Sequence, residues 1–386
     1  MPSAPRTRTR PRPRSRRDSR RRIRYAVVGL GYISQAAVLP AFRHARKNSE
    51  LAALVSDDPT KLRTLARRHG ADRLYDYGGF DECLADETID AVYIALPNAM
   101  HREYAIRAAR AGKHVLCEKP LAVTSADCEA MRDAAAENGV RLMTAYRLHF
   151  DRANLEAIDV IRSGKLGEPR LFESVFTMQV EDGNIRLGPP EKGGGPLYDV
   201  GIYCINAARY LFRAEPSEVF ALTASSGDPR FSNTPEMASA VLRFPVERTA
   251  VFTCSFGAAD SGWFQVGGTK GVLRLDPAYE YAEALKMQIT VDEKTTRKSF
   301  PRRDQFAPEL LYFSDCILED RQPEPSGREG LADVRVIRAL HQSARTGRPV
   351  TLPEFERRHR PMLEMADDEP PVRMPELVHA ESPSGE

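Results

Sequence analysis

The chain has 386 residues, 42% of them hydrophobic and 28% charged, with a formal net charge of +2. At about 150 residues per domain this length predicts two domains, and a chain so long buries a core without needing disulfide or metal staples. The small net charge conceals an asymmetry, because residues 1–22 hold ten arginines against one aspartate and leave the remainder at about −7.

That Pro/Arg/Ser segment offers almost nothing to bury, so it predicts a disordered, solvated tail. A tether to nucleic acid or anionic membrane is the alternative use of such charge, but a nucleic-acid partner is not expected. Arg16-Arg17 ahead of an apolar stretch resembles a twin-arginine export signal. The apolar residues that follow are needed as the first strand of a fold, which argues against cleavage there. The six cysteines, at 83, 117, 128, 204, 254 and 316, form no CxxC pair. They predict neither a zinc site nor a disulfide framework, and they fit a reducing cytoplasm. No run of roughly 18 apolar residues suggests a membrane span.

In chain order, Ile23 to Val28 reads as a short strand, followed by Gly29-Leu30-Gly31 and a helical pattern to about Ala45. Leu51 to Val55 is the next strand, and Pro59 opens a helix at its first turn. A weak strand near Arg73 to Tyr75 precedes a helix around Phe80 to Leu84. Asp90 to Leu96 is a strongly apolar strand, and a helix from about Asn98 to Ala111 stops at Gly112. Lys113 to Cys117 is another buried strand, Thr124 caps a helix ending at Asn138-Gly139, and Val140 to Met143 is the last strand. Strand-helix alternation over this length predicts an α/β, doubly wound parallel sheet of the Rossmann type over residues 23–145.

Gly29-Leu30-Gly31-Tyr32-Ile33-Ser34 is a G-x-G-x-x-S variant of the dinucleotide fingerprint, placed between a strand and a helix. The first glycine permits the tight turn and the second lets a pyrophosphate approach the backbone; the helix N-terminus supplies N–H groups, and Tyr32 and Ile33 begin that helix. Cofactor choice falls to Ser56-Asp57-Asp58-Pro59-Thr60-Lys61 after the second strand. Asp57 would accept hydrogen bonds from an NAD ribose, whereas Ser56 with Lys61 would suit the NADP phosphate. An Asp-Pro helix cap with a surface lysine explains the same residues without a ligand.

Pro97-Asn98 ends an apolar strand at the carboxyl edge, where ligands of such sheets bind. Asn98 could serve a nicotinamide or cap a helix, and His101 could be a ligand or plain helical surface. Glu118-Lys119-Pro120 follows the next buried strand. Two charges at the mouth of a cleft suit cofactor binding and stabilisation of oxygen charge, although a surface salt bridge is the simpler alternative. In the second half Asp199 and Tyr203 lie four apart, so a helix would put them on one face. Alcohol oxidation needs a group to take the hydroxyl proton, and a tyrosine beside a lysine can do so. A capped helix with Tyr203 in its core is the competing explanation.

The glycine loop, the stretch Asp90 to Asn98 followed by His101, and Ala111 to Pro120 with its Glu-Lys-Pro together resemble the Gfo/Idh/MocA oxidoreductases over about residues 24–350. Tyr203 stands where that family usually has histidine, as in its glucose-fructose oxidoreductase and dimeric dihydrodiol dehydrogenase branches. The resemblance implies that Lys119 and Tyr203 are catalytic, with Asp199 positioning them or binding substrate. It implies that Gly29, Gly31, Asn98 and Glu118 hold the nicotinamide nucleotide, with Arg147, in Tyr146-Arg147-Leu148-His149-Phe150, reaching cofactor or substrate. It also implies NADP(H) over NAD(H) through Ser56 and Lys61, although Asp57 departs from that pattern.

From Glu168 to about Phe300, β-rich runs at Arg170 to Val180, Ser217 to Thr223, Ala238 to Phe244, Thr249 to Phe256 and Gly271 to Leu275 predict a mostly antiparallel, open sheet. Helical patterns return at Ala307 to Leu318 and Glu329 to Thr346. Residues 146–353 thus form a C-terminal α+β domain for substrate binding, whose open sheet, by the resemblance, carries a homo-oligomer interface. The acidic, Pro-rich residues 354–386 read as a flexible tail. The expected function is a cytoplasmic NAD(P)-dependent oxidoreductase acting on a sugar, cyclic polyol or related diol, with no metal. A redox glycosidase that oxidises transiently with tightly held NAD and a non-catalytic nucleotide-binding redox sensor are the alternatives.

Overall fold

The computed structural model describes residues 21–357 and 359–385; most of the Arg-rich segment, residues 1–20, lies outside them. Six strands form the first sheet: β1 (Ile23–Val28), β2 (Ser49–Val55), β3 (Arg73–Tyr75), β4 (Ala91–Ile94), β5 (His114–Glu118) and β6 (Leu142–Ala145). They run in the order β3-β2-β1-β4-β5-β6, every neighbour parallel. β4 is buried along its whole length, as a strand covered on both faces requires. The order reverses direction between β1 and β4, so the cleft at their carboxyl ends is the expected nucleotide site.

The glycine loop leads into a helix whose first turns are a π-helix, Ser34–Val38, before Leu39–Ala41 (α1). Helix α2 (Pro59–His69) is capped at its start by Asp58 and stopped at Gly70 in the left-handed region. α3 (Phe80–Ala85), α4 (His101–Arg110) and α5 (Ser125–Glu137) complete this layer, with Thr124 accepting from the Asp127 N–H at the cap.

Helix α6 (Arg152–Arg162), absent from the sequence expectation, leads into a nine-stranded sheet. Its strands are β7 (Pro169–Gln179), β8 (Glu218–Ala224), β9 (Met237–Phe244), β10 (Arg248–Ser255), β11 (Gly257–Gly268), β12 (Gly271–Leu275), β13 (Leu285–Val291), β14 (Lys294–Phe300) and β15 (Val350–Thr351). Only β7 and β10 pair in parallel. Helix α7 (Ile202–Phe212), entered through a π-helix at Leu197–Gly201, packs on the inner face.

The chain then returns to the first sheet. Phe306, just before α8 (Ala307–Leu318), and Leu310 and Phe313 of that helix join the core on one face, while Leu331 and Val334 of α9 (Gly327–Thr346) join it on the other. α9 lies so close that a Cβ at Gly330 would stand 2.5 Å from the Leu121 Cβ. Two late helices therefore roof the nucleotide-binding sheet.

The last segment differs from the flexible tail that its composition predicts. The Asp304 N–H donates to the Glu369 carbonyl, Arg152 Nε meets Asp368 at 2.7 Å, and Arg302 donates to the Val372 carbonyl at 2.7 Å. Residues 359–385 are an irregular strap over the body, held largely by backbone carbonyls that composition does not reveal.

Candidate functional site

Gly29 sits at φ +93°, and a Cβ there would come 2.5 Å from the Ala95 carbonyl oxygen, so a side chain would disrupt the β1–β4 contact. A Cβ at exposed Gly31 would meet nothing within 4 Å, which leaves the backbone open on the side a pyrophosphate would approach. Ser34, fully buried, donates to the Gly29 carbonyl at 2.6 Å and ties the helix to the turn. Tyr32 and Ile33 are half-buried at the helix start, and Tyr32 accepts a 3.3 Å bond from the Tyr281 hydroxyl. This cradle fits a dinucleotide.

At the end of β2 the two neighbouring aspartates separate. Asp58 accepts from the Thr60 and Lys61 N–H groups at 2.8 and 3.0 Å as the α2 cap, while Asp57 is exposed. Lys61 is half-buried on the first turn of α2. Ser56 is only 2% exposed and its Oγ accepts from the Asp58 N–H at 3.3 Å. That bond uses the hydroxyl oxygen as acceptor and leaves its O–H as a donor.

Pro97 is exposed after β4. Asn98 donates to the Gly193 carbonyl at 2.7 Å and so joins a loop of the first sheet to one preceding α7. His101 does not reach the cleft. It is fully buried, with Nδ1 and Nε2 each 2.9 Å from the carbonyl oxygens of Pro120 and Leu96. Its place is a brace between the loops after β4 and β5, not that of a nucleotide ligand.

Glu118 accepts from the Tyr93 hydroxyl at 2.8 Å and from the Lys119 N–H at 3.2 Å. Burial raises its carboxyl above the usual range despite the opposing field of Lys119. Lys119 Nζ lies 2.9 Å from Asp199 Oδ1 and 2.8 Å from the Asp199 carbonyl, and 4.9 Å from the centre of the Tyr203 ring. Arg186, which the sequence reading missed, holds the other Asp199 oxygen at 2.6 Å. Burial alone would raise the Asp199 carboxyl, but Arg186 and Lys119 outweigh it and keep it ionised. Burial pulls Lys119 down, while Asp199 and Tyr203 push it up; the net is a lysine above its ordinary value.

Arg147 is 7% exposed and lies under the site. Its guanidinium stands 5.0 Å from the Tyr203 ring centre and 5.3 Å from that of Tyr281, and it donates to Gln305 and to the Tyr279 carbonyl. Those bonds make it a support for Tyr203 rather than a free arm toward a ligand. Both π-helical turns fall at this cleft, one behind the glycine loop and one that carries Asp199 and leads into the first turn of α7 with Tyr203, and such turns recur at functional sites. Arg186 and the C-terminal strap, whose Val378 bonds to Gln35 through both backbone groups at 2.8 and 2.9 Å, were invisible to periodicity. Among the described residues no His/Cys/Asp/Glu group could hold a metal ion, and no helix is long and apolar enough to cross a membrane.

A parallel sheet with a glycine cradle at its switch point and a lysine at its carboxyl edge, facing an aspartate and a tyrosine from a second sheet-bearing unit, defines a nucleotide-dependent oxidoreductase of two parts. Residues 23–146 match the oxidoreductase family with an NAD-binding Rossmann fold, and residues 154–274 match the GFO/IDH/MocA C-terminal domain. A D-xylose 1-dehydrogenase (NADP(+)) of Haloarcula marismortui is 32% identical over 337 residues, covering 86% of this chain and 93% of that protein. The crystal structure of aldose-aldose oxidoreductase from Caulobacter crescentus, complexed with glycerol, superposes with a TM-score of 0.82 at 39% identity, over 86% of this chain and all of that one. A 3-ketoreductase from Actinomadura kijaniata in complex with NADP and TDP-benzene gives 0.76 at 27% identity, over 83% and 98%. The chain belongs to the GFO/IDH/MocA family and is an NAD(P)-dependent oxidoreductase.

Proposed function

We propose that this protein is an NADP(H)-preferring dehydrogenase or reductase of a sugar or cyclic polyol, in which Tyr203 carries the hydroxyl proton and Lys119 is the cation beside it. The observation that carries this reading is the placement of Lys119 Nζ, fixed by both Asp199 contacts and 4.9 Å from the Tyr203 ring, at the carboxyl edge of the parallel sheet. A bound nicotinamide supplies the hydride chemistry. The chain supplies orientation, a proton carrier, and positive charge from Lys119 and Arg147 near the oxygen that changes charge. The names of the relatives, among them a D-xylose 1-dehydrogenase and an aldose-aldose oxidoreductase, support a sugar as substrate. The test is a panel of aldoses, anhydrosugars and cyclic polyols assayed at 340 nm with NADP+ and NAD+. Net NADP+ reduction by an aldose supports the reading, and no turnover with any member of the panel in either direction refutes it.

Two further expectations follow. Lys61→Ala should weaken NADPH by roughly 10- to 150-fold and leave NADH nearly unchanged, because a charge-assisted phosphate bond of about 1.5–3 kcal/mol is lost; titration of nucleotide fluorescence reads this. The open face of the large sheet exposes Leu171, Leu222, Val241, Val251 and Val272 in mixture with polar residues. That face is the inferred subunit interface. Light scattering should show a dimer or larger species, and Val251→Asp should shift it toward monomer.

A further inference from the structure

The C-terminal strap follows α2 toward the nucleotide cleft. Arg68, in the last turn of α2, donates to the Glu376 carbonyl at 2.5 Å. Val378 pairs with Gln35, whose amide also donates to the Leu30 carbonyl of the glycine loop at 2.9 Å. His379 Nδ1 then lies 2.7 Å from Asp58 Oδ2 at the opposite end of α2. Four residues on, the Pro383 carbonyl accepts from the Glu181 N–H at 3.0 Å. Four extended residues span at most about 14 Å, so the strap crosses from the β2–α2 loop to the loop that carries Arg186.

The placement of His379 matters because of the charges around it. In a doubly wound dinucleotide fold, the end of the second strand decides between a ribose hydroxyl and a 2′-phosphate: a carboxylate favours the first, a cation the second. Here two carboxylates, Asp57 and Asp58, stand beside Lys61. The bond from His379, followed by the Lys61 and Thr60 amides, holds the Asp58 carboxyl down at about 2, so it is ionised at neutral pH.

We propose that the C-terminal strap completes the adenosine end of the nucleotide site, with His379 offsetting Asp58 so that the pocket accepts a 2′-phosphate. The proposal rests on the NADP(H) reading above and adds a specificity-determining residue to it from the far end of the chain. His379 binds the carboxylate and screens it from the phosphate. Asp57 is then the one unpaired carboxylate of the pair, opposed by Lys61 and the positive end of α2.

The test is direct titration of NADPH and NADH against the wild-type protein, His379→Ala, a chain ending at residue 375, and His379→Ala/Asp58→Asn. The quantity read is the ratio of the NADH to the NADPH dissociation constant. His379→Ala and the truncated chain should each lower it about 5–10-fold, almost wholly through weaker NADPH binding. Asp58→Asn in the His379→Ala background should return it to within about twofold of wild type, because asparagine retains the helix cap without the charge. An unchanged ratio, an equal loss for both nucleotides, or failure of Asp58→Asn to restore the ratio would overturn the proposal. A wild-type preference for NADH would instead count against the NADP(H) reading, and the variant-to-wild-type ratio would still decide the role of His379.

Discussion

Lys119→Met is expected to lower kcat by about 10³-fold, and Tyr203→Phe by about 10²–10⁴-fold, while nucleotide dissociation constants stay within about threefold of wild type. Methionine retains most of the apolar stem of Lys119 and removes the charge that Asp199 holds in place. Phenylalanine removes one oxygen and leaves the ring between Phe176, Tyr279, Lys119 and Arg147. Lys119 is pushed above its ordinary value once the pull of burial is outweighed by Asp199 and Tyr203. It therefore stays an ammonium through the neutral range, and in the proposed reaction it is a fixed cation while Tyr203 carries the proton. Two groups serving one proton transfer act as a unit, so the double variant should be no slower than the slower single one by more than about threefold. Rapid-mixing kinetics at saturating nucleotide separates this step from binding. A kcat within about twofold of wild type in either variant would remove that residue from the chemistry.

The nucleotide half was legible because each of its elements repeats a local rule. β4 is apolar throughout as a doubly covered parallel strand must be, Pro59 and Asp58 open α2, and Thr124 caps α5. Lys119, Asp199 and Tyr203 stood out by a strand end and a four-residue spacing, but those positions alone fit a salt bridge and a capped helix equally well, and the resemblance carried the expected roles. The second sheet was only partly legible. β14 reads Lys-Thr-Thr-Arg-Lys-Ser-Phe and is exposed except for Phe300, as suits an edge strand protected by charge, so it lacks the alternation that marks a half-buried one. The turn before it, Asp292-Glu293, has positive φ at both residues without a glycine to announce it. His101 misled for a different reason: a histidine three residues beyond a ligand-binding strand end has the same local pattern whether it faces the cleft or braces the loops from below. Arg186, Gln35 and His379 gain their roles only from contacts across 13, 343 and 321 residues, respectively, and periodicity is blind to these.

Farther along α7 from Tyr203 the structure concentrates buried charge, and this predicts the largest stability effect. Arg209, on α7 with Tyr203, is fully buried and meets Glu215 at 2.6 Å, Glu329 at 2.8 Å and Asp333. Asp333 also accepts from the Tyr146 hydroxyl at 2.6 Å and from Asn206 at 2.7 Å, while Glu329 and Glu215 are shared with Arg357 and Arg360 of the C-terminal segment. Burial opposes the charge on Arg209, but these three carboxylates hold it firmly protonated. Arg209→Met would leave them with too few partners in a site that water does not reach, at a cost of about 3–5 kcal/mol. Scanning calorimetry should show a Tm lower by about 4–6 °C. Removing a second partner changes the sign of the argument. In Arg209→Met/Asp333→Leu one of the three carboxylates is gone and the other two keep Arg357 and Arg360, so the loss should be smaller than the sum of the two single losses by about 1–3 kcal/mol, as expected for residues in one network. Strict additivity would show that the cluster is three separate pairs. Because α7 also carries Asn206 and Tyr203, the single variant should lose kcat along with stability.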